Sequence, residues 1–135
     1  MQCMRIVLAL LVLLASFSVS ASDFDGAKEL PQPGLPTAHF NLGSSYYNGK
    51  GTPQNYKEAL KWFKTSAEQG NAGAQYDLGV IHYEGEGTPQ DYKKAHMWWN
   101  IAAANGHEDA KTNRDRLAGK MTPADISEAQ QIASD

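Results

Sequence analysis

Cysteine is almost absent from this sequence of 135 residues: the one copy, Cys3, precedes an apolar run. The lipidated cysteine of a lipoprotein signal follows its apolar run, so Cys3 does not predict a lipid anchor. Because residues 4–135 contain no cysteine, that part of the chain holds no disulfide, thiolate nucleophile or zinc-binding thiolate. The fold must therefore be held together by packing.

Long hydrophobic runs are also missing. The run at residues 6–14 has nine residues and is followed by Ala15, whereas a membrane-spanning helix needs about 20. Arg5 precedes this run, and small residues ending in Ala21 follow it. This order is typical of a secretory signal, here residues 1–21 with cleavage after Ala21. We therefore expect an exported protein, periplasmic or secreted, without a membrane span after signal removal; a retained anchor would need a longer unbroken run.

Basic residues are too few to indicate a nucleic-acid partner, because 12 Lys and Arg stand against 15 Asp and Glu, a net charge of −3. Catalytic patterns are missing as well. No serine has a lysine three residues later, as a Ser-x-x-Lys nucleophile requires. His39, His82, His96 and His107 are never four residues apart, so no helical zinc pair is expected. We predict no enzyme activity and no catalytic, cofactor-binding or metal-binding residue.

What the sequence does contain is a repeat of 36 residues. Fifteen residues between positions 38 and 71 recur unchanged 36 positions later: Ala38, Leu42, Gly43, Tyr47, Gly49, Gly51, Thr52, Pro53, Gln54, Tyr56, Lys57, Ala59, Trp62, Ala67 and Gly70. A fixed period of this length indicates helix-turn-helix units that stack on one another. The predicted fold is all-α, a superhelical stack of antiparallel helix pairs with about six helices after the signal peptide.

Turn and capping residues divide the chain. Closely spaced prolines predict an extended linker before the repeats, and Thr37 is expected to cap a helix that begins at Ala38. Asn55 and Asp91 are predicted N-caps of the second helix in each unit. The predicted organisation is a signal peptide at 1–21, a linker at 22–36, repeats at 37–72 and 73–107, and a degenerate capping helix pair at 108–135.

The motif A-x-x-x-L-G-x-x-Y-x-x-G-x-G-x-x-x-[DN]-x-x-x-A-x-x-W-x-x-x-x-A-x-x-G, as it stands in residues 38–70 and 74–106, resembles the Sel1-like repeat, a cousin of the tetratricopeptide repeat. The resemblance implies right-handed superhelices of antiparallel helix pairs that serve as adaptors for protein complexes. It implies no reaction. One departure is His82, which stands where the motif and Tyr46 have an aromatic ring; we expect a packed, hydrogen-bonded core histidine, and the alternative is a pH-responsive role.

The leading hypothesis is an exported adaptor or scaffold that binds a protein or peptide. One alternative is an envelope hydrolase or small-ligand binder related to the β-lactam-binding branch of the family, although the cysteine pairs of that branch are missing here. A second alternative is a subunit of a structural homo-oligomer, since two full repeats are fewer than the three that such stacks normally need.

The binding face follows from helix geometry and the resemblance. In tetratricopeptide-like stacks the first helix of each unit lines the concave wall, and eight positions point away from its packing side. They are Asn41, Ser44, Ser45, Asn48, Asp77, Val80, Ile81 and Glu84. We call these positions the first-helix face and predict that they bind the partner. The alternatives are an unconstrained surface, or contact of Val80 and Ile81 with a neighbouring helix.

Overall fold

The computed structural model describes residues 34–134. The predicted signal peptide and residues 22–33 of the predicted linker lie outside the described residues. Within 34–134 the secondary structure consists of six α-helices and no strand, in agreement with the predicted all-α fold. The helices are α1 (Leu35–Asn48), α2 (Tyr56–Glu68), α3 (Ala72–Glu84), α4 (Tyr92–Ala104), α5 (Glu108–Ala118) and α6 (Pro123–Ser134). No helix in this range is long and apolar enough to cross a membrane.

The first helix begins earlier than the sequence predicts. It starts at Leu35, after Gly34 in the left-handed conformation, so Thr37 lies inside the helix and does not cap it. Pro36 belongs to the first turn of α1, where a missing amide hydrogen costs no intrahelical hydrogen bond. Pro36, one of the prolines that predicted an extended linker, therefore lies in α1.

All five later helices begin at side-chain caps, including α5, where His107 Nδ1 accepts from the Ala110 amide at 3.3 Å. Asn55 accepts a hydrogen bond from the Glu58 amide at 3.1 Å, as expected of the predicted N-cap. Asp91 accepts from the Lys94 amide at 3.0 Å. Asn71 caps α3 by accepting from Ala74 N at 2.9 Å, and Thr122 caps α6 by accepting from Asp125 N at 3.2 Å. The starts predicted for α2 at Asn55 and for α4 at Asp91 are thus confirmed.

The turns between the paired helices have the same geometry in both repeats. Gly49 and Gly85 end α1 and α3 in the left-handed region, with φ of 67° and 76°, which glycine adopts without a Cβ penalty. The turn then folds back: the Gln54 amide side chain donates to Tyr47 O at 2.8 Å, and Gln90 donates to Tyr83 O at the same distance. These bonds fix each turn against the helix that it leaves.

From α1 to α5 each helix packs against the next one in the chain, whereas α6 packs against α4. The core lies between them in two clusters of buried side chains. One contains Ala59, Phe63, Ala67, Ala74, Leu78 and Ile81; the other contains Ala95, Trp99, Ala102, Ala110 and Leu117. Each cluster combines residues from more than one helix pair, as expected when neither pair can bury its apolar face alone.

The two ends of the repeat array differ from its middle. Leu78 in the second repeat is 1% exposed, whereas its counterpart Leu42 is 37% exposed. Ala74 is fully buried, but Ala38 is exposed. On α1 the packing residues Ala38 and Leu42 are therefore exposed, because no described helix precedes α1 to cover them in the way that α2 covers α3.

Candidate functional site

A groove of about 560 Å³ lies between α3 and α5 and is closed at its base by α4. This volume is in the range of sites that hold small molecules or short peptide segments. We call it the α3–α5 groove and define it by the residues that line it: Tyr76, Val80, Tyr83, Glu84, Trp99, Asn113, Arg116, Leu117 and Lys120. Helices α3 and α5 are the first helices of the second and third units.

Aromatic rings form the base of the groove. The indole N–H of Trp99 donates to the Tyr76 carbonyl oxygen at 3.1 Å, which fixes the ring between α4 and α3. Tyr83 packs against Trp99 with their ring centroids 5.7 Å apart and stacks on Tyr92 at 5.3 Å. Tyr76 stacks on His107 at 4.4 Å with its ring nearly parallel. The rings are held on several sides, so the base of the groove is preorganised.

Positive charge lies on the α5 wall. The Lys120 ammonium donates to the Tyr83 hydroxyl at 3.0 Å and stands 5.5 Å from the centroid of that ring. The hydrogen bond to Tyr83 raises the pKa of Lys120, which keeps the ammonium charged. Arg116 is exposed and lines the same wall, while Glu84 on the α3 wall is the one acidic side chain among the lining residues.

The structure brings two of the eight predicted residues, Val80 and Glu84, into this groove. On α1 the predicted polar residues bond to their own helix: Ser45 Oγ donates to Asn41 O at 3.0 Å, and Asn48 Nδ2 donates to Ser44 O at 2.9 Å. They lie one repeat away from the α3–α5 groove. The eight residues of the first-helix face therefore do not lie together in one site.

Ile81 does not belong to a binding surface. It is fully buried in the first core cluster, so the predicted contact with a partner is corrected to the alternative of contact with neighbouring helices. Asp77 is half-buried on the same helix. Burial raises the pKa of Asp77 from 3.8 to about 6, so its carboxylate is less favourable there than in water.

Sequence reasoning missed the α5 wall although the signal was present. The residues 36 positions after Asp77, Val80, Ile81 and Glu84 are Asn113, Arg116, Leu117 and Lys120, and all four line the groove. The third unit lacks the Leu-Gly pair and the glycine turn, so its sequence indicates a capping helix pair and gives no sign of a binding face. The face continues in register even where the packing motif is lost.

Two histidines are buried near the cores. His82 and His96 are 8% and 2% exposed, and the Nδ1 atom of each has no hydrogen-bond partner in the described part of the chain. Burial lowers the pKa of both. His82 is therefore a packed core residue as predicted, but its Nδ1 does not make the expected hydrogen bond.

Among residues 34–134, no three His, Cys, Asp or Glu side chains converge as a metal site would require.

The comparisons with known proteins agree with this architecture. The sequence model of the family described as Sel1 repeat matches residues 36–71 and 72–107. Among solved structures, the chain is similar to a protective antigen present in uropathogenic Escherichia coli strains that displays an SLR fold, with 33% identity over 75% of this chain and a TM-score of 0.71. It is also similar to a Sel1 repeat protein from Oxalobacter formigenes, with 40% identity over 61% of this chain and a TM-score of 0.58.

These two structures are longer than the aligned region. The chain covers 22% of the E. coli protein and 34% of the O. formigenes protein, so it spans about a fifth and a third of their lengths. No curated protein gives a significant match to the sequence.

Proposed function

The chain belongs to the Sel1 repeat family, and on that premise we propose that it is an adaptor that binds a segment of a partner protein in the α3–α5 groove. Sel1 repeat proteins are commonly scaffolds for protein interactions and are typically not catalytic. The observation that carries the proposal is the groove itself. It lies on first helices, has a preorganised aromatic base and offers both apolar and charged groups to a ligand.

The chemistry of the lining supports a peptide ligand. Tyr76, Tyr83 and Trp99 provide apolar area at low entropic cost because their rings are already fixed by packing. The exposed charges at the rim can set orientation and specificity. A shallow groove with this combination suits an extended segment or the face of a helix.

The test is affinity capture with a matched pair of variants. The purified protein is immobilised and exposed to an extract of its own cells, and the retained proteins are quantified for wild type, Val80→Phe and Lys57→Phe. Val80→Phe adds bulk inside the groove without charge, while Lys57→Phe adds the same ring to an exposed position on α2. The proposal predicts a partner that Val80→Phe loses and Lys57→Phe retains. A partner retained by Val80→Phe but lost by Lys57→Phe would move the binding surface to α2.

We also propose that the protein is exported and processed after Ala21, on the strength of the sequence pattern of residues 1–21. Intact mass measurement of the protein recovered from its own cells tests this. Export predicts a chain that begins at Ser22, in the periplasm or the medium. A full-length chain in the cytoplasmic fraction would refute it.

Self-association is a second candidate, favoured by the exposed apolar surface of α1 around Ala38 and Leu42. In the second repeat the equivalent residues are covered by a neighbouring helix pair. A second copy of the chain could cover Ala38 and Leu42 in the first repeat. Analytical ultracentrifugation of wild type and Leu42→Lys tests this, since a dimer through this face would dissociate in the variant.

A further inference from the structure

We infer that the α3–α5 groove selects an acidic partner segment, with carboxylates bound at Arg116 and Lys120 and a neighbouring apolar side chain resting on the aromatic base. The inference rests on the proposed function and adds the chemistry of the partner. It follows from where charge lies in the groove, which cations are already paired, and how the position recurs through the three units.

The two cations on the α5 wall are not engaged with acidic groups of the described chain. Two of the ten Lys and Arg side chains in residues 34–134 are: Lys93 pairs with Asp125 and Glu128 on α6, and Arg114 pairs with Asp115. Arg116 and Lys120 have no carboxylate among residues 34–134 within ion-pair distance. The other unpaired cations of residues 34–134 lie at exposed positions outside the groove, so what distinguishes these two is that both line one wall of it. Two unpaired cations on one wall of a groove indicate that the complementary charge comes from the ligand.

The donors of both residues remain available. Lys120 uses one N–H on the Tyr83 hydroxyl, and an ammonium has three. Arg116 presents a planar guanidinium that can hold a carboxylate with two parallel hydrogen bonds. Arg116 lies on α5 and Lys120 lies two residues beyond its end, and both line the same groove, so they can hold one acidic group or two adjacent ones.

The opposite wall and the base define the rest of the ligand. Glu84 on α3 would repel a carboxylate, which places the acidic group on the α5 side. Between the walls, Val80, Tyr76 and Trp99 offer apolar surface. A segment in which an acidic residue alternates with an apolar residue satisfies both requirements, whereas inorganic phosphate would leave the base of the groove empty.

The recurrence of the first-helix face indicates that this selectivity belongs to the third unit. The position of Arg116 is Ser44 in the first unit and Val80 in the second, and the position of Lys120 is Asn48 and then Glu84. The neutral or acidic side chains of the earlier units cannot supply the positive wall. The third unit lacks the packing motif of the other two and carries these two cations at the binding positions.

Calorimetric titration with three short blocked peptides tests the inference on the purified protein. The first alternates glutamate with leucine, the second replaces each glutamate by glutamine, and the third replaces each by lysine. We expect the acidic peptide to bind about tenfold or more tightly than the basic one, since two exposed ion pairs are replaced by two repulsions. The preference should weaken at high salt, where exposed charges are screened.

Charge-changing variants test whether the preference for the acidic peptide arises at Arg116 and Lys120. Arg116→Glu with Lys120→Glu should reverse the preference between acidic and basic peptides. Lys57→Glu with Lys64→Glu, the same change of charge on exposed α2 positions, should leave the preference intact. Arg116→Gln with Lys120→Gln is a milder second variant, expected to remove the preference while keeping the native circular dichroism spectrum.

Several results would overturn the inference: equal affinity for the acidic and basic peptides, no binding of any peptide, or a preference unchanged in both groove variants. Its failure is separable from that of the proposed function. A captured partner that Val80→Phe loses and that Arg116→Glu with Lys120→Glu retains would leave the groove as the binding site and refute the acidic segment.

Discussion

The indole ring of Trp99 lies directly against Gly79 and fills the space in which a Cβ atom at position 79 would stand. The first repeat has the same relationship, since a Cβ on Gly43 would lie 2.7 Å from Cδ1 of Phe63. In each repeat the glycine of the Leu-Gly pair lets an aromatic ring from the second helix approach the backbone of the first. The close approach also lets the Trp99 N–H reach the Tyr76 carbonyl and fixes the base of the α3–α5 groove.

Gly79→Ala should therefore destabilise the protein, although alanine is the better helix former by about 1 kcal/mol. The added methyl must displace Trp99 and break its hydrogen bond to Tyr76, and overpacking of this kind costs about 1–3 kcal/mol. Urea denaturation followed by circular dichroism measures the change in unfolding free energy. Gly119→Ala is the control, because its Cβ would meet no atom closer than 3.4 Å. An equal effect of the two substitutions would contradict the packing argument.

Asp77 is expected to make stability depend on pH. Asn113, which is 36 positions after Asp77, donates a hydrogen bond to the Tyr76 hydroxyl at 3.3 Å. Asp77 has no equivalent hydroxyl to bond, because the residue 36 positions before Tyr76 is Phe40. Burial raises the pKa of Asp77 to about 6 in the folded state. The unfolded chain, with a pKa of about 3.9, therefore loses this proton first, and the contribution of Asp77 to stability falls as pH rises from about 4 to about 6.

Asp77→Asn removes that titration. At pH 7 the variant should be more stable than wild type by up to about 3 kcal/mol, since one pKa unit corresponds to about 1.4 kcal/mol, and below pH 4 the difference should vanish. Thermal unfolding at pH 3.5, 5 and 7 measures the trend. Glu84→Gln, the same change at an exposed carboxylate on the same helix, is the control. A stability gain for Asp77→Asn that is equal at all three pH values would refute the burial explanation.

The fold could be predicted because its information is local and is repeated. Caps such as Asn55 and Asp91, and the left-handed glycines Gly49 and Gly85, act within a few residues of the chain, so the 36-residue period showed them twice. The predicted start of α1 at Ala38 is wrong, because the helix begins three residues earlier, at Leu35. Pro36 suits the first turn of a helix as well as it suits a linker.

The candidate site was harder to predict because it depends on what covers each face. Ile81 and Ser45 occupy the same position, yet Ile81 is fully buried and Ser45 is only half-buried. The repeat shows which residues share a face, but the neighbouring helices decide whether that face is closed. Arg116 and Lys120 were missed for a different reason: the third unit keeps the register of the face without the packing motif that identifies it.

The difference between the ends of the array and its middle gives a matched pair of leucines. Leu78→Ala should cost about 2–5 kcal/mol of unfolding free energy, as is usual for a leucine in a closed core, because Leu78 is 1% exposed. Leu42→Ala should cost about 1 kcal/mol or less, because Leu42 is 37% exposed and leaves no closed cavity. Denaturant unfolding of both variants at low protein concentration gives the comparison. Equal costs would mean that the α1 face is covered in solution.

Val80 and Ile81 are adjacent in the chain but have different surroundings, which separates binding from folding. Ile81 is fully buried with Phe63 and Leu78, while Val80 is half-buried and lines the α3–α5 groove. Ile81→Ser places a hydroxyl in an apolar cluster and leaves a cavity, so it should cost about 2–5 kcal/mol and lower the melting temperature. Val80→Ser should cost about 1 kcal/mol and leave the fold intact.

The pair is measured by calorimetric unfolding and by capture of the partner that Val80→Phe loses. We expect Val80→Ser to weaken capture with a nearly unchanged melting temperature, because it removes apolar surface from the groove. Ile81→Ser should lower the melting temperature and bind normally at temperatures where it stays folded. The reverse pattern, in which Ile81→Ser is as stable as wild type and Val80→Ser unfolds, would require Ile81 to face the ligand and would place the binding surface on the other side of α3.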